Sequence, residues 1–246
     1  MINAGVGGYT SWETLMNLQF RVLELNPDLV IVYQGNNDVH AHFVYPYGDY
    51  QGDNSGYRAA FVQNTALAQV WEHSTILRII GIQSGWTTSQ SAIEWNFSNP
   101  SPSSHHLELE QQMYGGRYPS GIFSEIHGYD MLQANPPVFF EQNLRSMVAM
   151  ANANDVDVFL VTFVAFMNSN WYKATSREYR FGRDQHNATR IAEEMGTYFY
   201  DLAAVFPQKE DHFADGIHMT RKGNTKRAIA LGQYIIENIF EAETSE

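Results

Sequence analysis

The strongest apolar runs in the chain are Leu29 to Tyr33 and Val156 to Phe163, both rich in β-branched residues. A strand covered by helices on both faces reads this way, because neither face is given over to polar residues. Elsewhere the apolar positions recur at helical spacing. Leu15, Leu18, Val22 and Leu25 predict a helix that closes at Asn26-Pro27, since proline disfavours a helical residue before it. Phe140, Leu144, Met147, Val148 and Ala151 predict a second helix. Ala188, Ile191, Ala192 and Met195 predict a third, ended by Gly196. Tyr198 to Tyr200 reads as a short strand before Asp201, and 221–240 as a last helix with Ala228, Leu231, Ile235 and Ile239 on one face. Residues 1–8 read as the end of a strand running into a glycine turn. Strand and helix alternate, which predicts an α/β fold, a three-layer α/β/α sandwich around a mostly parallel sheet.

Residues 39–135 break this alternation. Phe61 to Ile80 has a helical pattern, with Leu67, Val70, Trp71 and Leu77 on one face, while Ser98 to Ser104 reads as loop. The stretch is aromatic, with Tyr45, Tyr47, Trp71, Trp86 and Trp95 as candidate walls of a binding site. It is expected to be a long insertion into a single domain spanning 1–246, forming a lid or substrate-binding cap over the functional end of the sheet. The alternative is a second small domain remote from the site.

Composition narrows the function classes. Hydrophobic residues make up 44% and charged residues 17%, the balance of a globular protein. A formal net charge of −12 argues against nucleic acid and anionic membrane surfaces as main partners. The chain has no cysteine, so disulfides, thiolate metal sites and a cysteine nucleophile are excluded. No apolar run approaches the ~18–20 residues of a membrane span.

Three short motifs carry candidate chemistry. Gly35-Asn36-Asn37-Asp38 follows the first apolar strand, at the end of the sheet where ligands bind in open α/β folds. Upstream lies Asn3-Ala4-Gly5-Val6-Gly7-Gly8-Tyr9-Thr10-Ser11, and near the end Asp215-Gly216-Ile217-His218. In order and spacing the three resemble the blocks of the SGNH, or GDSL-type, hydrolases. Gly8 falls on that family's second-block glycine, Gly35 to Asp38 on its Gly-x-Asn-Asp block, and Asp215 and His218 on its Asp-x-x-His block. The resemblance covers roughly residues 1–38 and 138–240. It implies a flavodoxin-like strand arrangement and an esterase or lipase working through an acyl-enzyme, with no metal or organic cofactor. It implies His218 as catalytic base, Asp215 as its orienting carboxylate, and Gly8 and Asn37 as oxyanion donors. Asp38 is expected to bond loop amides. The partner implied is a small-molecule ester: a lipid, an acetylated sugar or a small acyl ester.

The residue chemistry fits these roles. Histidine titrates near neutrality and can take and return a proton. A carboxylate three residues earlier can reach its other ring nitrogen. An asparagine amide and a glycine N–H on neighbouring loops can share one oxygen. The family's Gly-Asp-Ser block, with the nucleophilic serine, has no counterpart in these residues. The resemblance therefore implies an amino-terminally incomplete domain that lacks its first strand and is inactive and poorly folded by itself. Ser11 is the candidate substitute nucleophile, with helix capping by Thr10 or Ser11 as its competing role. Two other readings stand beside the hydrolase. One is a non-catalytic ligand-binding protein on the same fold. The other is a metal-dependent hydrolase built on His40 and His42.

Overall fold

In a computed structural model of the chain, residues 1–45, 47–54, 74–84, 126, 128–169 and 187–240 are described. Three strands form one sheet in the order β1 (Leu29–Gln34), β2 (Asp157–Thr162) and β3 (Tyr198–Tyr200), all parallel. Leu29 pairs with Asp157 and Gln34 with Thr162, so β1 and β2 end level with one another. Gly35, Phe163 and Asp201 therefore leave the sheet at the same edge.

The first helix, α1 (Ser11–Asn17), continues as a π turn over Leu18–Val22 and a 3-10 turn over Leu23–Leu25. Asn26 then closes it at φ 47°, a left-handed cap before Pro27. Helix α2 (Asn36–Ala41) starts directly after β1, and α3 (Thr75–Gln83) and α4 (Gly128–Ala134) lie in the long central stretch. The second half of the chain adds α5 (Val138–Asn152), α6 (187–195), α7 (Leu202–Val205) and α8 (Arg221–Ile235).

The side chains of β2 explain its unbroken apolar sequence. Val158 and Leu160 pack into one core with α1, α5 and α6, around Leu15, Phe140, Leu144, Met147 and Ile191. Phe159 and Val161 pack into the other, with Leu202, Phe206, Phe213, Ile235 and Ile239. Phe159 is wholly buried and stacks on Tyr234 at 4.8 Å. Each such burial contributes ~1.5–3 kcal/mol. Helices on both faces of a parallel sheet make the three-layer α/β arrangement that the alternation of elements predicts.

Four expectations need correction. Residues 1–6 form no strand, only the glycine turn at Gly7-Gly8. A strand exists through its ladder partners, and no described strand lies beside this segment. Strand β1 is covered less than its sequence predicts: Val32 is buried, but Leu29, Val30, Ile31 and Tyr33 are half-buried. Among the described strands β1 has a partner on one side alone, and an edge strand keeps a flank open to solvent. Leu25 is exposed, because the π and 3-10 turns shift the phase of the last helical turn away from the Leu15–Leu18 stripe. Ala228 in α8 is exposed too, while Ile235 and Ile239 are buried as their spacing predicts.

The central stretch is described only in part. The helical pattern of 61–80 is interrupted at Ser74, which is extended (φ −150°, ψ 122°) and caps α3 by accepting the Leu77 amide at 3.4 Å. Leu77 is exposed there, while residues 61–73, Trp86, Trp95 and 98–104 lie outside the described residues. The two ends of the stretch are stitched together. The Asn135 side-chain amide donates to the carbonyls of His42 (2.7 Å) and Val44 (2.9 Å), and the Tyr50 hydroxyl donates to that of Pro136 (3.0 Å). Val39 and Ala41 of α2 and Phe43 and Val44 just after it are buried.

Candidate active site

The turn after β1 is shaped by Gly35, whose φ of 139° a side chain would strain. It delivers Asn36, Asn37 and Asp38 into the first turn of α2. The Asp38 carboxylate reaches the start of α1 and accepts the Ser11 amide, at 2.8 Å on one oxygen and 3.1 Å on the other. The Gln34 side-chain amide donates to Asp38 at 3.2 Å and to the Tyr9 carbonyl at 2.8 Å. Asn37 donates to the same Tyr9 carbonyl at 2.8 Å. The glycine turn and the Gly-Asn-Asn-Asp turn are thus clamped together through one peptide group. Gly8, at φ 82°, is exposed, with open space around its Cα.

Beneath the clamp lies a buried polar network. Burial pushes the Asp38 carboxyl up to about 6, against the opposing pull of the Ser11 hydroxyl and amide and of Gln34. The Asn143 side chain donates to Ser11 Oγ at 2.9 Å, which leaves the hydroxyl proton for Asp38. Ser11 is fully buried and doubly engaged, so it is part of this support and not an accessible nucleophile. Thr10 is the N-cap of α1, and its amide donates to Glu13 at 2.8 Å in a capping box. Asn54 donates to the Thr10 hydroxyl at 2.5 Å. Among the described residues, Asn36 Oδ1 is the buried side-chain oxygen left without a hydrogen-bond partner.

The second half of the site is the loop carrying Asp215 and His218. One Asp215 oxygen accepts the amides of Ile217 and His218, both at 2.7 Å, which fixes the carboxylate on its own loop. The other oxygen lies 2.7 Å from His218 Nδ1. A carboxylate can only accept, so Nδ1 carries a proton, and in the neutral imidazole Nε2 is then the acceptor. Burial pushes the Asp215 carboxyl up, but the two amides and the imidazole outweigh it and hold the group below its ordinary value. The His218 side chain is 72% exposed, so Nε2 is open to an incoming group.

Contacts from the segment after β2 tie this loop to the same sheet edge. The Phe166 amide donates to the Gly216 carbonyl at 2.8 Å. The segment that carries Phe166 is held to β1 by the Val164 amide, which donates to the Tyr33 hydroxyl at 2.9 Å, and by Phe163, which stacks on the Tyr33 ring at 4.9 Å. The Arg227 guanidinium covers Tyr33 at 4.8 Å. Gly8 and Asn37 are therefore brought together beyond β1, and Asp215 and His218 beyond β2.

Asp38 bonds a loop amide and Thr10 caps α1, as the sequence predicts, but the parts that Gln34 and Asn143 play in this support do not follow from the sequence reading. Gln34 and Asn143 are polar residues at the end of an apolar strand and on an apolar helix face, and that misfit with pattern was the available signal. His42 is buried with its ring edge-on to Tyr50 at 5.2 Å, and the His40 side chain lies outside the described residues. Among the described residues no three His, Asp or Glu side chains cluster as a metal site would require.

The chain is similar to solved structures that include the following two. One is a protein of Bacteroides fragilis assigned to the acylhydrolases, at 15% identity and a TM-score of 0.49, covering 95% of this chain and 73% of its own. The other is a GDSL-like lipase of Bacteroides thetaiotaomicron, at 16% identity and a TM-score of 0.46, covering 96% of this chain and 75% of its own. No curated protein matches the sequence. The profile of the GDSL-like lipase/acylhydrolase family matches residues 1–231, nearly the whole chain. The chain belongs to the GDSL-like lipase/acylhydrolase family.

Proposed function

We propose that this chain supplies the base, the orienting carboxylate and two oxyanion donors of an ester hydrolase, and that the nucleophilic serine comes from a segment outside residues 1–246. The observation that carries this reading is the His218–Asp215 pair: Nδ1 is held at 2.7 Å while the rest of an exposed imidazole is free to work. The serine Oγ attacks the ester carbonyl as its proton passes to His218 Nε2. The oxyanion receives the Gly8 N–H, the second N–H of the Asn37 amide and the serine's own amide. Collapse expels the alcohol, which takes the proton back from His218, and water repeats the cycle on the acyl-serine. Asp215 stays ionised throughout and stabilises the imidazolium.

The half-buried residues of β1, and its lack of a described partner on the side away from β2, support a further strand beside it. Residues 39–135 act in this reading as a cap that supplies aromatic contacts, with Tyr45 and Tyr47 packed edge to face at 5.3 Å. The substrate class is a lipid, an acetylated sugar or a small acyl ester. The test is hydrolysis of nitrophenyl esters of rising chain length and of acetylated sugars by the protein from its complete reading frame. His218→Ala should lower kcat at least ~10³-fold. Ligand binding with no His218-dependent turnover would instead favour a non-catalytic binding protein.

A further inference from the structure

The loop that presents His218 has a closed base. The Ala214 amide donates to the His218 carbonyl at 2.7 Å, Phe213 and Met219 form an antiparallel bridge, and the Thr220 amide donates to the His212 carbonyl at 3.0 Å. Thr220 then ends the loop and opens α8 in one residue. Its hydroxyl donates to the Asp211 carbonyl at 2.7 Å and accepts the Gly223 amide at 3.2 Å. Lys222 pairs with the Asp211 carboxylate across the same junction.

Gly223 is the tightest point. A Cβ there would lie 2.1 Å from the His212 carbonyl oxygen and 3.0 Å from its carbon, both backbone atoms that cannot swing aside. His212 cannot retreat easily either. It is buried, with Nδ1 3.1 Å from the Pro207 carbonyl and its ring edge-on to Phe206. Gly232, on the same helix, has open space around its Cα. The demand for glycine at 223 therefore comes from the contact with the loop base and not from the helix.

We propose that Gly223 and Thr220 are positioning residues for His218: they seat α8 on the Asp211–His212 backbone and so fix the hairpin that holds the imidazole on Asp215. The catalytic consequence rests on the reading of His218 as the base. A carboxylate–imidazole hydrogen bond tolerates little movement, and a displacement of about 1 Å in such a constellation costs on the order of 10²-fold in rate.

The test compares Gly223→Ala, Thr220→Val, Thr220→Ser and Gly232→Ala in the protein from its complete reading frame. Long-range proton–nitrogen NMR through the His218 ring carbons reads which nitrogen carries the proton, independently of turnover. Nitrophenyl acetate hydrolysis gives kcat and KM separately. The parent, Gly232→Ala and Thr220→Ser are expected to keep the proton on Nδ1. Gly223→Ala and Thr220→Val should shift it toward the mixture of an unheld imidazole, with kcat lowered about 10²-fold and KM within about twofold. If Gly223→Ala does not fold, Thr220→Val against its serine rescue decides. Folded Gly223→Ala or Thr220→Val with the proton still on Nδ1 overturns the proposal. A shifted proton with unchanged kcat supports the positioning role and counts against His218 as the base.

Discussion

Replacing Asp38 by asparagine should change how stability depends on pH more than it changes stability itself. Burial raises the Asp38 carboxyl from 3.8 to about 6. Between those values the folded state binds a proton that the unfolded state has released, so the term in stability falls as pH rises through this window. The loss reaches roughly 3 kcal/mol above pH 6, at about 1.4 kcal/mol per tenfold change in proton affinity. Asparagine cannot ionise and has no such term. It carries instead a constant penalty. Ser11 N–H and the Gln34 amide both donate to the carboxylate, so the new NH₂ faces a donor, at a cost of about 1–3 kcal/mol at every pH. Asp215 acts in a separate window: its group is held below 3.8, so its contribution is present above that value and is lost as pH falls through the lowered one. Urea unfolding followed by circular dichroism from pH 4 to 7, on the protein from its complete reading frame, isolates the Asp38 term as the difference between parent and variant. Asp38→Asn should be less stable at pH 4, with the gap closing or reversing by pH 7. Parallel curves across that range would refute the assignment of a buried, proton-binding carboxyl beneath the glycine turn.

Asp215→Asn should keep the fold but leave the imidazole without an acceptor for Nδ1–H, lowering kcat on nitrophenyl acetate by ~10²–10⁴-fold with little change in KM. Asn37→Ala removes the clamp on Tyr9 and the proposed oxyanion donor, so steady-state kinetics should show a kcat loss of ~10²–10³-fold or more. Gly232→Ala, with open space on an otherwise regular helix, should raise stability in urea by up to ~1 kcal/mol.

The parts of the fold legible in the sequence are those whose determinants are local. Strand β2, helix α5 and the Gly196 stop after α6 each follow from one stretch of residues and its period. Strand β1 was legible as a strand but not in its burial, because covering depends on which neighbour pairs with it. Residues 1–6 carry strand-like sequence and form none, for the same reason. The Ser74 cap shows the opposite failure, a local signal hidden inside an apolar pattern that runs past it. In the site, Asp215 and His218 lie three residues apart, within reach of direct reading. Ser11 and Asn143 are 132 positions apart, and nothing in either neighbourhood announces the other. Gly223 matters through a backbone oxygen at His212, which no pattern of side chains encodes.

His218 and Asp215 are proposed to serve a serine lying outside residues 1–246. A fluorophosphonate probe, followed by mass-spectrometric mapping of the labelled peptide, tests it directly. The protein from its complete reading frame should label on one serine preceding residue 1, and His218→Ala should suppress the labelling, while residues 1–246 expressed alone should not label. A His218-dependent adduct on a serine within residues 1–246, or no labelling of the complete protein, would contradict the account.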